Sequence, residues 1–316
     1  MMSIKKWRSA FTLVATTAIA TCGLSLPARA ATNSLTNSRP TIAATQTLPV
    51  LDDRPQVTEP ADTLAETEVV APQQVARVPL CPAEVKSAID TIVRRPQFAK
   101  GRWGILVQSL DGKTTFYDRN GQSYFIPASN IKLLTTAAAL QLHEPSQRFR
   151  SLPLADWVKV INERSNNNYA DTLLSDLGGS IVVRSALSDL GIKPTHYRMM
   201  DGSGLSRRNM VRPVDILSLL QFMDSSPNRD LFRASLPVAG ISGTLRNRMR
   251  RTPAQGVVQA KTGTLRGVRA LSGYLQQPEH GDIVFSIFAN HLGQSGSTMA
   301  AAIDEIVVLL TQMKRC

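Results

Sequence analysis

The chain has 316 residues, a formal net charge of +12 at pH 7, 43% hydrophobic residues and three cysteines. That length suffices for a well-buried core, and the basic balance suits an anionic wall or membrane surface. Nucleic acid, the other usual partner of such charge, is argued against by an export signal and by the want of an aromatic and basic binding pattern.

Residues 1–8 carry Lys5, Lys6 and Arg8, an apolar run follows over 10–26, and Ala28-Arg29-Ala30 offers small residues where a signal peptidase reads. We expect 1–30 to be a signal peptide. The run is shorter than the ~20 apolar residues of a membrane span and is broken by threonines, so we expect no transmembrane anchor after cleavage. Lipidation at Cys22 is disfavoured by Thr21 before it and by the downstream Ala-x-Ala site. The expected location is secreted, in a periplasm or cell envelope.

Residues 31–79 are rich in Thr, Ala, Pro, Gln and acid with no sustained apolar period, which predicts a disordered tether. Arg39, Arg54 and Arg77 stand there against Asp52, Asp53, Glu59, Asp62, Glu66 and Glu68. The positive charge therefore concentrates in 80–316, the expected globular unit. No internal repeat is evident.

Within that unit 82–94 reads as an amphipathic helix with Val85, Ile89, Ile92 and Val93 on one side. Segments 104–110 and 114–117 read as strands joined through Asp111-Gly112, a strong hairpin signal. Residues 130–142 are apolar on nearly every face, which predicts a buried helix beginning at Ser129. Helices are expected at 155–162, 169–177, 181–190 and 213–223, strands at 257–261, 269–275 and 282–290, and a closing helix at 298–313. Strands at both ends of the unit imply one sheet, from 80–128 and 255–316, around a helical part at about 129–254.

Three short motifs carry chemistry. In Ser129-Asn130-Ile131-Lys132 the three-residue spacing puts an ammonium over a hydroxyl at the positive end of a helix dipole. Burial would lower the Lys132 pKa and let it act as a general base. Alone the pattern is weak, and its bland reading is a helix cap followed by a surface lysine; the apolar residues after it make a surface lysine out of place. Ser165-Asn166-Asn167 can cap a helix, but Ser165 can also relay a proton and Asn167 bind a substrate carbonyl. Lys261-Thr262-Gly263-Thr264 is expected to end a strand. There Gly263 would admit substrate backbone, Thr262 and Thr264 would offer hydroxyls to a carboxylate, and the Thr264 and Ser129 N–H groups would pair as an oxyanion hole.

Taken in order, these motifs resemble the class C low-molecular-mass penicillin-binding proteins, the penicillin-binding protein 4 type of D-alanyl-D-alanine carboxypeptidase/endopeptidase. The resemblance extends to Pro127 through Thr135, Asp201-Gly202-Ser203-Gly204-Leu205-Ser206-Arg207, Gly243-Thr244-Leu245 with Arg248-Met249, and Ala260 through Leu265. It implies an α/β (α+β) penicillin-recognising serine-enzyme fold, β-lactamase/transpeptidase-like, with an antiparallel sheet flanked by helices and an all-helical subdomain. It implies that Ser129, Lys132, Ser165, Asn167 and Lys261 are catalytic and that Thr262, Gly263 and Thr264 bind substrate. The implied partners are peptidoglycan stem peptides and, as covalent inhibitors, β-lactams. One departure stands out: the family's long insertion of two domains between the nucleophile helix and the Ser-x-Asn element is missing, since Lys132 lies close upstream of Ser165 in the chain.

Cys81 and Cys316, near the two ends of the unit, invite a disulfide in an oxidising compartment, though the residues alone leave two unpaired thiols equally open. The resemblance, with first and last helices packed side by side, implies the bridge. His143, His196, His280 and His291 show no ligand-like spacing, so neither metal nor cofactor is expected. The arginines at 246, 248, 250 and 251 read as a solvated face. Rival functions are a β-lactamase, for which no acidic deacylation motif is evident, and a non-catalytic wall-binding protein.

Overall fold

The computed structural model describes residues 79–316. The expected leader, and the expected tether up to residue 78, lie outside the described residues. Five strands form one antiparallel sheet: β1 (Arg102–Ser109), β2 (Thr115–Arg119), β5 (Val258–Leu265), β6 (Val268–Leu275) and β7 (Ile283–Asn290). Their spatial order is β2-β1-β7-β6-β5, so β5 lies at an edge. A two-residue pair, β3 (Arg148–Phe149) and β4 (Leu152–Pro153), forms a separate small hairpin.

The sheet is buried on both faces because its strands alternate apolar residues in both directions. On β7, Ile283, Phe285 and Ile287 join Leu271 and Leu275 of β6 against α1 (Pro82–Val93) and α8 (Gly296–Leu310). Val284 and Phe288 point the other way, with Ala270 and Tyr274, into the helical layer. At the centre of that layer lies α2 (Ile131–Leu142), buried at every residue from Ile131 to Leu140. Its alanines at 137, 138 and 139 let α3 (Leu154–Glu163), α4 (Asn167–Asp176), α5 (Gly179–Asp189) and α6 (Pro213–Ser225) close around it.

The expected helices and strands all form, with ends that shift by a few residues. The β5 strand does not stop at Lys261 but runs on through Leu265, since Thr264 pairs with Arg269 and Leu265 with Val268. A short helix, α7 (Arg229–Ala234), was not anticipated, because six residues between turn formers carry too little periodicity. And α4 starts at Asn167, two residues before the expected position.

The first and last helices pack side by side, and a disulfide joins Cys81 to Cys316 with their Cα atoms 5.8 Å apart. Leu80 reinforces it by exchanging backbone bonds of 2.9 Å with Gln312 and Lys314. Cross-linking across so much chain stabilises by about 2–4 kcal/mol. Replacing both cysteines by serine is therefore expected to lower the melting temperature by about 5–15 °C for a domain of this size, measured by differential scanning calorimetry; an unchanged melt would show that the backbone bonds suffice.

Candidate active site

The Ser129 turn depends on an unusual backbone. Ala128 has φ 47°, a left-handed conformation that costs about 1–3 kcal/mol for a residue with a Cβ. It turns the chain into a single 3₁₀ turn, Ala128–Asn130, that leads into α2. Lys132 then lies over Ser129, with Nζ 3.0 Å from Oγ. The next residue along from Ser129, Asn130, is fully buried and donates its side-chain amide to the Lys261 carbonyl at 3.1 Å. That bond ties the turn to the edge strand.

Lys132 also donates to the Asn167 side-chain oxygen at 2.8 Å and to the Ser203 carbonyl. On the other side Lys261 Nζ reaches the Ser165 hydroxyl at 2.8 Å and the Thr262 carbonyl at 3.2 Å. Ser165 is itself left-handed, with φ 57°. The capping of α4 falls to Asn166, whose side chain accepts the Tyr169 N–H at 3.0 Å. Because Asn166 takes the cap, Ser165 and Asn167 are released toward the two lysines.

Both lysines have no solvent exposure. Burial lowers the Lys132 pKa from 10.5 to about 8, against the opposing pull of Asp171 and Asp201. Lys261 lies well below its ordinary value, first through burial and then through repulsion by Lys132. Since both values are depressed on folding, the fold binds fewer protons than the unfolded chain. The two lysines therefore oppose folding most strongly at low pH, and that penalty fades as pH rises toward 10.5.

The edge strand meets the turn along its outer side. Ala260 donates its N–H outward to the Pro237 carbonyl at 2.9 Å. The two-residue strand period then faces the Thr262 and Thr264 amides outward as well. Of the two expected hydroxyls, Thr264 is exposed, whereas Thr262 is 8% exposed and paired with Thr244 at 2.7 Å. Gly263 meets a structural demand of its own. A Cβ there would lie 2.6 Å from the Pro127 carbonyl oxygen and 2.9 Å from the Ala270 Cβ. The absence of a side chain lets the strand press on the Ser129 turn.

Several residues at the site carry roles the sequence did not suggest. The 201–209 loop was noted only as a signature, yet its Ser203 carbonyl is a partner of Lys132. Asp201 organises that loop by accepting the N–H of Gly204 and Ser206, each at 2.6 Å, and the Asn209 side-chain amide at 2.8 Å. Gly204, at φ +88°, presses so closely that a Cβ would stand 2.0 Å from the Ala128 carbonyl oxygen. Asn130 and Thr244 lay within quoted motifs, but only the folded contacts give them a part. Among the described residues no cluster suited to a metal ion occurs.

An antiparallel sheet whose edge strand carries Lys-Thr-Gly, set against a Ser-x-x-Lys helix and a Ser-x-Asn turn, defines the penicillin-recognising serine-enzyme fold. The sequence profile of the D-Ala-D-Ala carboxypeptidase 3 (S13) family matches residues 85–151 and 147–313, and the chain belongs to that family. The two matched pieces meet at the β3–β4 hairpin, where the long insertion would stand. A D-alanyl-D-alanine carboxypeptidase of Actinomadura sp. is 44% identical over 47% of this chain and 30% of its own length. The D-alanyl-D-alanine carboxypeptidase DacB of Haemophilus influenzae is 32% identical over 44% of this chain and 32% of its own. The matched part of the chain thus spans about a third of these curated relatives.

Solved structures agree on the fold. Penicillin binding protein 4 of H. influenzae superposes with a TM-score of 0.62 at 15% identity, over 71% of this chain and 99% of that one. A β-lactamase from Chitinophaga pinensis gives 0.61 at 19% identity, over 72% and 98%.

Replacing Gly263 by Ala would force a methyl against the Pro127 carbonyl. A destabilisation of about 1–3 kcal/mol is expected, read by urea unfolding, and wild-type stability would show that the strand can move away at no cost.

Proposed function

We propose that the protein is a serine-type D-alanyl-D-alanine carboxypeptidase, able in principle to act also as an endopeptidase, that trims peptidoglycan stem peptides through an acyl-enzyme on Ser129. The observation that carries this reading is the Lys132 amine, buried, with its pKa lowered to about 8 and 3.0 Å from the Ser129 hydroxyl. A neutral amine has two N–H donors and one lone pair. Asn167 and Ser203 present only acceptors to it, which leaves the lone pair for the Ser129 proton.

In this mechanism Lys132 takes the Ser129 proton as Oγ attacks the penultimate D-Ala carbonyl carbon. The oxyanion is received by the Ser129 and Thr264 N–H groups. Ser165, hydrogen-bonded to Lys261, passes a proton to the departing D-Ala amine. Thr264, with the Thr262–Thr244 hydroxyl pair, receives the substrate carboxylate; one proton of that pair remains free after their mutual bond. Water then hydrolyses the ester. β-Lactams would acylate the same serine, and the basic exported unit would meet its substrate in the cell envelope.

The β-lactamase reading needs a carboxylate free to activate water against a penicilloyl ester. Asp171 and Asp201, whose charges reach Lys132, are instead engaged by loop groups, Asp171 through one oxygen and Asp201 through both. Incubation with a penicillin followed by intact mass is expected to give a long-lived adduct on the wild type and none on Ser129→Ala. Release of D-Ala from a diacyl-D-Ala-D-Ala peptide is expected alongside. Rapid penicillin turnover would favour the β-lactamase, and neither adduct nor turnover would favour a wall-binding protein.

Because Lys132 must be neutral to accept the proton and its pKa is depressed to about 8, acylation is expected to rise about tenfold per unit below that pH and to level off above it. A stopped-flow profile that is flat across this range would remove Lys132 from the role of base.

A further inference from the structure

The two carbonyl oxygens that hold Lys132 trace back to one helix. Asn167 lies on α4 and contacts Nζ directly at 2.8 Å. Ser203 lies in a loop, but that loop is anchored to α4 by Asp171, one helical turn beyond Asn167. A single Asp171 oxygen accepts the N–H of Gly202 and of Ser203, each at 2.9 Å. The loop cannot retreat toward the helix, because a Cβ on Gly202 would already lie 2.5 Å from the Ala170 carbonyl oxygen. From the other side Thr135 on α2 donates to the Gly202 carbonyl at 3.1 Å. Asp201, by contrast, spends its oxygens inside its own loop.

We propose that Asp171 is a positioning residue for the proton transfer from Ser129: by gripping the Gly202 and Ser203 amides it aims the Ser203 carbonyl at Lys132 and so turns the amine's lone pair toward the nucleophile. With both carbonyls in place the two N–H bonds of the neutral amine are spoken for, and the hydroxyl of Ser129 is the remaining neighbour at 3.0 Å. If the Ser203 carbonyl drifts, the amine can rotate and present an N–H to Ser129, which cannot accept its proton. The charge of Asp171 acts in addition. The charged and titratable groups around Lys132 are Asp171 on α4, Asp201 in the loop and Lys261 on β5; burial favours the neutral amine, and the two carboxylates favour the ammonium.

The inference rests on the acyl-enzyme reading, and one experiment separates the two. The rate of penicillin acylation is followed by intact mass across roughly pH 6 to 10 for the full chain and for Asp171→Asn, Asp171→Ala and Thr135→Val. Asp171→Asn keeps an acceptor for both amides and removes the charge, so the midpoint moves to lower pH and the high-pH plateau stays within about threefold of wild type. Asp171→Ala frees the Ser203 carbonyl and lowers the plateau by about tenfold or more. Thr135→Val loosens the same loop without a change of charge, and lowers the plateau with the midpoint unmoved. Asp171→Ala with the wild-type plateau overturns the proposal, whatever its midpoint. Should Asp171→Ala lack a cooperative melt, Thr135→Val decides, and a wild-type plateau there overturns it. If the wild-type chain forms no adduct at any pH, the acyl-enzyme reading itself falls; a normal wild-type adduct with unaltered Asp171 variants removes this inference alone.

Discussion

Two lysine side chains without solvent exposure, Lys132 and Lys261, meet where the sheet edge faces the helical layer. Burying an ammonium costs several kcal/mol unless its hydrogen bonds are replaced, and here hydroxyls and carbonyls replace them in place of carboxylates. Those partners come from four separate stretches of chain: the Ser129 turn, the Ser165-Asn166-Asn167 turn with α4, the 201–209 loop and the edge strand. Holding all four around two amines is the constraint from which the rest of the architecture follows. It explains why Ala128 and Ser165 tolerate a left-handed backbone. It also explains why Gly204 and Gly263 leave no room for a side chain against the Ser129 turn.

The same constraint separates what the site needs from what it can lose. Every partner of the two lysines lies within 129–264, on elements that pack on α2 or on β5. The short β3–β4 hairpin takes the chain from α2 to α3, and none of those partners lies on it. The arrangement around the amines is thus complete with only this short connection between α2 and α3. The disulfide works at the opposite face, where it holds α1 to the chain end and keeps the sheet covered.

Much of this was legible in the residues. The apolar character of 130–142 on nearly every face announced a buried helix, and strands at both ends of the unit announced one sheet. The three motifs were legible for a different reason: each places reactive groups at local spacings that a helix, a turn or a strand converts directly into geometry. Where local spacing was a poor guide, the reading slipped. The close contact of Gly263 with Pro127, far away in the chain, left no local sign. The strand seemed to stop at Lys261 because Thr-Gly-Thr reads as a turn, yet pairing with β6 carries it on to Leu265. The role of Asn130 was invisible because its partner, the Lys261 carbonyl, lies 131 residues away.

By itself the sequence determined which side chains are candidates for the site, their order, and the helix, turn and strand that each would occupy, since those depend on contacts between near neighbours. Only the tertiary structure decided how the two lysines are solvated, that Asn166 and not Ser165 caps α4, that Thr244 shares a proton with Thr262, and that Asp171 reaches Lys132 through the carbonyl of Ser203. These depend on bringing distant segments within 3 Å or so of one another, and a backbone amide or carbonyl, identical in every residue, leaves no mark in the sequence of which partner it will meet.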